Sequence, residues 1–147
     1  DVVEVGAWSV VLLDSTVPNE VHGHLDPARL EALERKLGAA TTPHVLVVMH
    51  HQPAPIGSPL DVCGLTNAED LYGVLDRHDR VKGLLWGHIH HVHDSERHGV
   101  RRLGTPSTCA QFSVEPGAGI AFQVDVEDAI GVQHQIEALA EAVEDLI

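Results

Sequence analysis

Two groups of histidines follow directly on apolar runs of the chain. His50 and His51 follow one run, and His88 and His90 follow another after Gly87. A short apolar run bounded by turn residues is typical of a buried strand. Sites in open α/β sheets lie at the carboxyl ends of such strands. Because neutral imidazole is the commonest side-chain ligand for transition metals, the pattern predicts metal chemistry at one edge of a sheet.

The spacing of the second group has a physical interpretation if the segment is extended. Residues i and i+2 of an extended chain project to the same side, so His88 and His90 can reach one pocket while Ile89 turns into the core. Gly87 permits a sharp turn just before them. Two ions about 3.5–4 Å apart can be served by neighbouring side chains in this way. His50, at the end of an adjacent strand, is expected to reach the same pocket from the side.

Histidine is abundant in this chain, so chance pairs have to be weighed against a site. Of the 147 residues, 12 are histidine, which raises the frequency of any i, i+2 pair. A lone Gly-His-x-His would be a weak signal, but its combination with His50-His51 after a second buried run favours a genuine site. Seven further histidines are interpreted as surface groups or neighbours of the site: His22, His24, His44, His91, His93, His98 and His134.

Strands and helices are expected to alternate through the first two thirds of the chain. Apolar runs predict three strands, at 7–13, 44–49 and 81–86. Asp26 and Pro27 supply an N-cap and a first-turn proline for a helix with leucines at helical spacing, which Gly38 is expected to end. Asn67 is expected to cap a second helix whose inner face extends to His78. This alternation is typical of an α/β sheet with crossover helices.

The segments around and beyond the histidines are expected to be irregular or short. The proline-rich segment 52–60 predicts a loop at the mouth of the site. A hairpin turn is expected at 97–99, and an amphipathic helix from Ile136 onward. Short β-type runs are expected between them, at 108–114, 119–126 and 130–136. Without a repeat or a long linker, residues 1–147 are predicted to form a single domain.

Composition argues against several classes of function. The chain has 9 basic against 22 acidic residues and a formal net charge of −13, so nucleic acid is not expected as a partner. No aliphatic stretch approaches the roughly 20 residues of a membrane span. No signal peptide is visible at the start of the chain, and Asp1 in place of Met indicates a processed or cut piece; a cytoplasmic location is expected. Cys63 and Cys109 lack metal-type spacing, and free thiols are favoured over a disulfide.

The two histidine motifs resemble the last two motifs of the calcineurin-like metallophosphoesterases. They are Met49-His50-His51-Gln52-Pro53 and Gly87-His88-Ile89-His90, in the order and at the separation found in that family. Further segments are similar to its bacterial class III cyclic-nucleotide phosphodiesterase branch: Leu13-Asp14-Ser15, His22-Gly23, the helix at Asp26-Pro27, and 105–112. The resemblance covers residues 8 to about 123.

The resemblance implies a fold and a ligand set. The fold would be half of a four-layer α-β-β-α sandwich, a mixed sheet with flanking helices, with a C-terminal helix added. His50 and His88 would ligate one divalent ion of the iron, manganese or zinc class, and His90 would ligate a second. His51 would be a non-ligand histidine near the substrate, with a catalytic role. Asp61 matches a frequent position of the family without a role that we assign.

The chain departs from the family in the motifs that should come first. An Asp-x-His, a Gly-Asp and a Gly-Asn-His supply the bridging carboxylate, the other ligands and the proton donor in that family. Gly-Asp and Gly-Asn-His are absent here, and Asp76-Arg77-His78 stands between the two histidine motifs, where it is interpreted as a surface coincidence. The chain is therefore expected to be the C-terminal portion of a metallophosphoesterase domain. Alone, it should bind fewer than two metal ions, or none, and be inactive.

Two functions follow from these expectations. In the first, the parent protein hydrolyses phosphodiesters, with cyclic nucleotides as the leading substrate, through a metal-activated hydroxide. This chain would contribute three histidine ligands, completed by a missing N-terminal half or by a second copy of the chain. In the second, the chain is a non-catalytic metal-binding or self-associating fragment. Metal titration combined with activity assays would separate the two functions.

Overall fold

A computed structural model describes residues 1–107 and two short strands beyond them. Six strands lie in the first part: β1 Val2–Val5, β2 Trp8–Leu12, β3 His44–Met49, β4 Val81–Trp86, β5 His93–Arg97 and β6 Val100–Gly104. The two strands beyond are β7 Gln111–Phe112 and β8 Phe122–Gln123, which pair antiparallel. The helices are α1 Pro27–Ala39 and α2 Ala68–Leu75. None of the helices in these residues is long and apolar enough to cross a membrane.

The six strands form one mixed sheet in the order β1-β2-β3-β4-β6-β5. β2, β3, β4 and β6 are parallel, whereas β1 and β5 pair antiparallel at the two edges. α1 connects β2 to β3, and α2 connects β3 to β4. Met49, the last residue of β3, is paired with Trp86, the last residue of β4, so the carboxyl ends of the two strands lie side by side. The predicted mixed α/β sheet with crossover helices is confirmed.

α1 begins as its sequence predicts and ends slightly later. The Asp26 side chain accepts a hydrogen bond from the Arg29 backbone N–H at 2.9 Å, and Pro27 occupies the first turn, where no N–H partner is required. The helix continues through Gly38 to Ala39. The predicted stop at Gly38 is one residue early, because this glycine keeps a helical backbone and the turn closes beyond it.

α2 is shorter than predicted, and Asn67, which was expected to cap it, bonds to a different segment. The helix ends at Leu75, so His78 lies beyond it. Asn67 stands at the N-cap position but makes no capping hydrogen bond. Instead its amide accepts from the Leu25 N–H at 3.0 Å and donates to the Leu25 carbonyl at 2.8 Å. Asn67 therefore fixes the loop that precedes α1.

The core lies between one face of the sheet and the two helices. Alternate residues of β3 are buried there, and Trp86 at the end of β4 is only 1% exposed. The helices contribute Leu33 and Leu71, which are 1% and 0% exposed. Buried aliphatic contact of this extent is the main source of stability in such a layer.

The other face of the sheet is apolar and open in the described part of the chain. Val3 and Val5 of β1 are 50% and 60% exposed, and Leu12 of β2 is 43% exposed. Strand alternation puts the half-buried Val48 and Leu85 of the central strands on this same face. We call these five residues the open face.

The remaining expectations fall partly outside the described residues. The predicted turn at 97–99 is confirmed as the β5–β6 hairpin, with positive φ at His98 and Gly99. β1 was not predicted. The runs at 108–114 and 119–126 contain β7 and β8. The run at 130–136, the terminal helix and Cys109 lie outside the described residues.

Candidate metal centre

Three imidazole rings meet at the carboxyl ends of β3 and β4. His50 and His51 directly follow β3, and His88 follows β4 after Gly87. One ligand nitrogen from each ring lies within 4.8 Å of the others. The three ring centroids are 4.8 to 4.9 Å apart. The Gly87 N–H donates to the His50 carbonyl at 3.2 Å, which ties the two strand ends together. We call these three rings the imidazole cluster.

The closest contact within the imidazole cluster joins His50 and His88. Nε2 of His50 and Nδ1 of His88 are 3.1 Å apart. Two nitrogens on one tetrahedral zinc ion would be separated by about 3.3 Å, given metal–nitrogen distances of about 2.0–2.1 Å. Nε2 of His88 is buried and makes no hydrogen bond of normal geometry among the residues described. Since Nδ1 of His88 faces His50, this nitrogen and Nε2 of His50 fit a shared divalent metal ion, with the His51 ring beside them.

Burial and neighbouring rings keep His88 uncharged. Desolvation is the main cause and repulsion from His51, His50 and His90 adds to it, so the pKa of His88 falls to about 4. The Cys63 carbonyl acts in the opposite direction. The pKa of His51 is lowered as well, first by burial and then by His50. Neutral imidazole is the form that binds metals, so both rings are in the binding form at neutral pH.

His51 is the most enclosed ring of the imidazole cluster. It is 4% exposed, and its Nδ1 lies 2.8 Å from the Oγ of Ser15, which is itself 1% exposed. The backbone N–H of His51 donates to the same oxygen at 3.4 Å. A Cβ at position 23 would lie 2.6 Å from the ring, which accounts for Gly23. Sequence reasoning missed both partners as functional residues, although each lies in a segment that carried the family resemblance.

His90 lies outside the group of three. His88 and His90 both have positive φ, 66° and 50°, so this segment is a turn. The predicted extended conformation is wrong, and the same-side argument from the i, i+2 spacing does not apply. Ile89 is fully buried as predicted. His90 is half-buried and near enough to His88 to lower its pKa. The structure thus brings together His50, His51 and His88.

Asp61 organises the loop at the mouth of the site. Its carboxylate accepts hydrogen bonds from the backbone N–H groups of Ile56 at 2.8 Å and Gly57 at 2.9 Å. The predicted loop over 52–60 runs into a short 3-10 turn at Pro59–Cys63. Asp61 therefore has a structural role in shaping this loop.

His93 differs from its prediction as an exposed neighbour. Its ring packs on Trp86 with centroids 5.3 Å apart, and its Nε2 is 2.7 Å from the Oγ of Ser95. Burial lowers its pKa. Asp76-Arg77-His78 is engaged away from the imidazole cluster, because Asp76 pairs with Arg97 and the half-buried His78 pairs with Glu34.

Comparison with known proteins finds relatives that are similar to much of this chain. No protein-family model matches the chain. It is 44% identical over 118 residues to the 3',5'-cyclic adenosine monophosphate phosphodiesterase CpdA of Pseudomonas aeruginosa, covering 80% of this chain and 43% of that protein. The protein of the same name from Escherichia coli K12 is 49% identical over 106 residues, which are 71% of this chain and 38% of that protein. These similarities agree with the resemblance of the chain to the calcineurin-like metallophosphoesterases.

A third relative is similar over a comparable part of the chain. A 3',5'-cyclic-nucleotide phosphodiesterase of Nostoc is 39% identical over 108 residues, covering 73% of this chain and 41% of that protein. The chain thus spans about two fifths of the length of these relatives.

The structural comparisons concern the fold alone. A dimetal phosphatase from Danio rerio aligns with a TM-score of 0.51 and 22% identity, over 57% of this chain and 27% of its own. GAP50, the anchor in the inner membrane complex of Plasmodium, aligns with a TM-score of 0.57 and 15% identity, over 81% of this chain and 39% of its own. The α/β fold class expected of a metallophosphoesterase is confirmed.

Proposed function

We propose that residues 1–147 are the C-terminal, metal-ligating portion of one domain of a metal-dependent phosphodiesterase. The observation that carries the proposal is the imidazole cluster, three imidazole nitrogens within 4.8 Å of one another at adjacent ends of parallel strands. The identity of 39% to 49% to proteins named as cyclic-nucleotide phosphodiesterases supports a cyclic nucleotide as the leading substrate. A cyclic nucleotide is a phosphodiester, and the proposal places its phosphoryl group near the imidazole cluster.

The proposal assigns ligand roles to four histidines. His50 and His88 are the best placed pair for one ion, because their nitrogens already approach to 3.1 Å. His51 is proposed as a third ligand of that ion, in place of the catalytic role expected from the resemblance. His90 is proposed as a ligand of the second ion. A bound divalent ion of the zinc, iron or manganese class would polarise phosphoryl oxygens and lower the pKa of a water molecule.

The chain alone is proposed to be inactive. Within residues 1–107 the imidazole cluster includes no carboxylate, so a bridging ligand has to come from elsewhere. We propose that it comes from the rest of the parent protein, which the relatives' greater length accommodates. A cytoplasmic location belongs to the same proposal, since the free Cys63 thiol suits a reducing compartment.

Metal titration of the chain and activity of the parent protein test this proposal together. Calorimetric titration of Zn²⁺ or Mn²⁺ into the metal-free chain should give binding that His88→Gln weakens by at least about tenfold. His24→Gln is the matched control, because His24 is an exposed histidine that bonds Thr66 away from the imidazole cluster. Equal binding by wild type and His88→Gln would contradict the metal assignment.

Hydrolysis of bis(p-nitrophenyl) phosphate is the second readout. The parent protein should hydrolyse it with added Mn²⁺ and lose the activity in His88→Gln, whereas this chain alone should not. Turnover by the chain alone would refute its incompleteness. A parent protein that binds metal without turning over any phosphodiester would refute the enzymatic function.

The open face favours a second candidate function, a self-associating metal-binding fragment. Val3, Val5 and Leu12 present contiguous apolar side chains on paired strands. Such a surface promotes association with a second copy or with another layer of protein. This candidate predicts metal binding by the chain without any hydrolysis in the parent protein, which the assays above separate from the first.

A further inference from the structure

Ser15 is held in place independently of His51. Its carbonyl accepts a hydrogen bond from the His24 backbone N–H at 3.0 Å. Two residues earlier, the Leu13 N–H donates to the Val48 carbonyl at 2.9 Å and so extends the pairing of β2 with β3. The Ser15 hydroxyl is thus delivered to a fixed point beside the first residues after β3.

The hydroxyl oxygen contacts His51 at two points. It lies 2.8 Å from the ring nitrogen Nδ1 and accepts from the backbone N–H of the same residue at 3.4 Å. One atom therefore fixes the ring relative to its own main chain. Gly23 closes the space beside Nδ1 and Cγ, where a Cβ would approach to 2.6 Å. The ring cannot rotate without losing the 2.8 Å bond or colliding with this backbone.

The hydrogen bond between Ser15 and His51 bears on which nitrogen of the neutral imidazole carries the proton. Such a ring carries one N–H and one lone pair, and the hydrogen bond made by one nitrogen determines which form is present. If Nδ1–H donates to Ser15 Oγ, Nε2 keeps its lone pair. Histidines that bind metals commonly donate their other ring N–H to an oxygen in this way.

We propose that Ser15 is a positioning residue that holds His51 as the Nδ1–H tautomer and leaves Nε2 able to bind a divalent cation. The competing acceptor is the Val21 carbonyl, whose hydrogen bond raises the pKa of His51. If that carbonyl took an Nε2–H, Ser15 would donate to Nδ1 and His51 would have no lone pair for an ion. The inference rests on the proposed function in naming His51 a metal ligand, but the tautomer itself is measured without metal.

Long-range ¹H–¹⁵N correlation spectra of the metal-free chain test the proposal directly. With ¹⁵N-labelled histidine, the signals of His51 are assigned by their loss in His51→Gln, and they should show Nδ1–H. In Ser15→Ala the Nε2–H form should appear, and Zn²⁺ affinity should fall about 10–100-fold. An Nε2–H tautomer in the wild type, or an unchanged tautomer and affinity in Ser15→Ala, would overturn the proposal.

Ser9→Ala is the matched control for loss of a buried hydroxyl. Ser9 is fully buried on β2, and its Oγ lies 2.7 Å from the Oγ1 of Thr42, away from the imidazole cluster. This variant should keep the wild-type tautomer and zinc affinity. An equal loss of affinity in Ser9→Ala would attribute the effect to general destabilisation and refute the proposal. If Ser15→Ala does not fold, the tautomer of His51 in the wild-type chain still tests the proposal, because the Nε2–H form there would overturn it.

Failure of this inference is distinguishable from failure of the proposed function. A wild-type chain that binds Zn²⁺ with His51 as Nε2–H refutes the role of Ser15 alone. A wild-type chain that binds neither Zn²⁺ nor Mn²⁺ refutes the metal assignment, whichever tautomer the spectra show.

Discussion

His88 has a pKa of about 4 because burial and three neighbouring imidazoles disfavour its charged ring. An ordinary histidine titrates near 6.5. The folded chain therefore keeps this ring neutral at a pH where the unfolded chain protonates it. That difference in proton uptake couples folding to pH.

The first prediction concerns the pH dependence of stability. Because the folded pKa lies below the unfolded one, His88 does not oppose folding above about pH 6.5, and stability falls as the pH drops from about 6.5 toward 4. The midpoint of urea unfolding of the metal-free chain should be lower at pH 5 than at pH 7.5. His88→Gln should reduce this difference, and His24→Gln should not. An equal pH dependence in all three proteins would contradict the prediction.

The second prediction concerns the backbone beside His51. Gly23→Ala places a methyl group 2.6 Å from the His51 ring and should destabilise the chain by about 1–3 kcal/mol, with a loss of zinc affinity. Chemical unfolding and zinc titration measure the two effects. Gly38→Ala is the control, because a Cβ there meets nothing within 4 Å and lies in α1, where alanine should stabilise by about 0.5–1 kcal/mol. Unchanged stability and affinity in Gly23→Ala would show that the ring has room to move.

Among the elements, those with local signals were predictable. The aliphatic runs of β3 and β4 gave both strands with their observed bounds, and the Asp26-Pro27 pair marked the start of α1. These signals depend on residues close in sequence, namely side-chain alternation and capping. β1 was not predicted, because Val2–Val5 has no buried residue and exists only through pairing with β2.

The parts of the site that sequence reasoning missed depend on contacts between distant residues. Ser15 and His51 are 36 positions apart, so nothing local announces their hydrogen bond. The positive φ values of His88 and His90 likewise oppose the intrinsic preference of L-residues, and Ile89 between them is fully buried. Their positions after the two apolar runs, together with the family resemblance, marked His50 and His88 as ligands and His51 as a neighbour near the substrate, whereas tertiary structure brings all three rings together.

The third prediction tests the element boundary at Asn67. Its two hydrogen bonds to Leu25 should make Asn67→Ala cost about 1–3 kcal/mol of unfolding free energy. Asn67→Ser should cost about as much, because a hydroxyl can cap a helix but cannot span both backbone groups of Leu25. Denaturant unfolding measures both variants. A harmless Asn67→Ser would instead indicate that residue 67 acts as an N-cap of α2.

At the scale of the whole molecule, the open face dominates the expected behaviour in solution. The two helices among the described residues pack on one side of the sheet, and the chain spans about two fifths of its relatives' length. An apolar sheet surface that stays exposed is an interaction site or an aggregation hazard.

The fourth prediction is therefore concentration-dependent self-association of the isolated chain. Sedimentation velocity should show association that the double variant Val5→Glu, Leu12→Glu reduces, because charge on both strands opposes burial of this face. Val62→Glu is the control, since Val62 is 83% exposed but lies in the 3-10 turn rather than the sheet. A wild-type chain that stays monomeric at every concentration, or an equal effect of Val62→Glu, would contradict the prediction.

The hydrogen bond from Gly87 to the His50 carbonyl connects two loops whose own sequences are far apart. Since that link requires β3 and β4 to be paired, the nitrogens of the imidazole cluster come together only in the folded sheet. A cation that binds there would stabilise the folded chain and not the unfolded one. The melting temperature would then rise with the logarithm of the free ion concentration and fall again when a chelator is added.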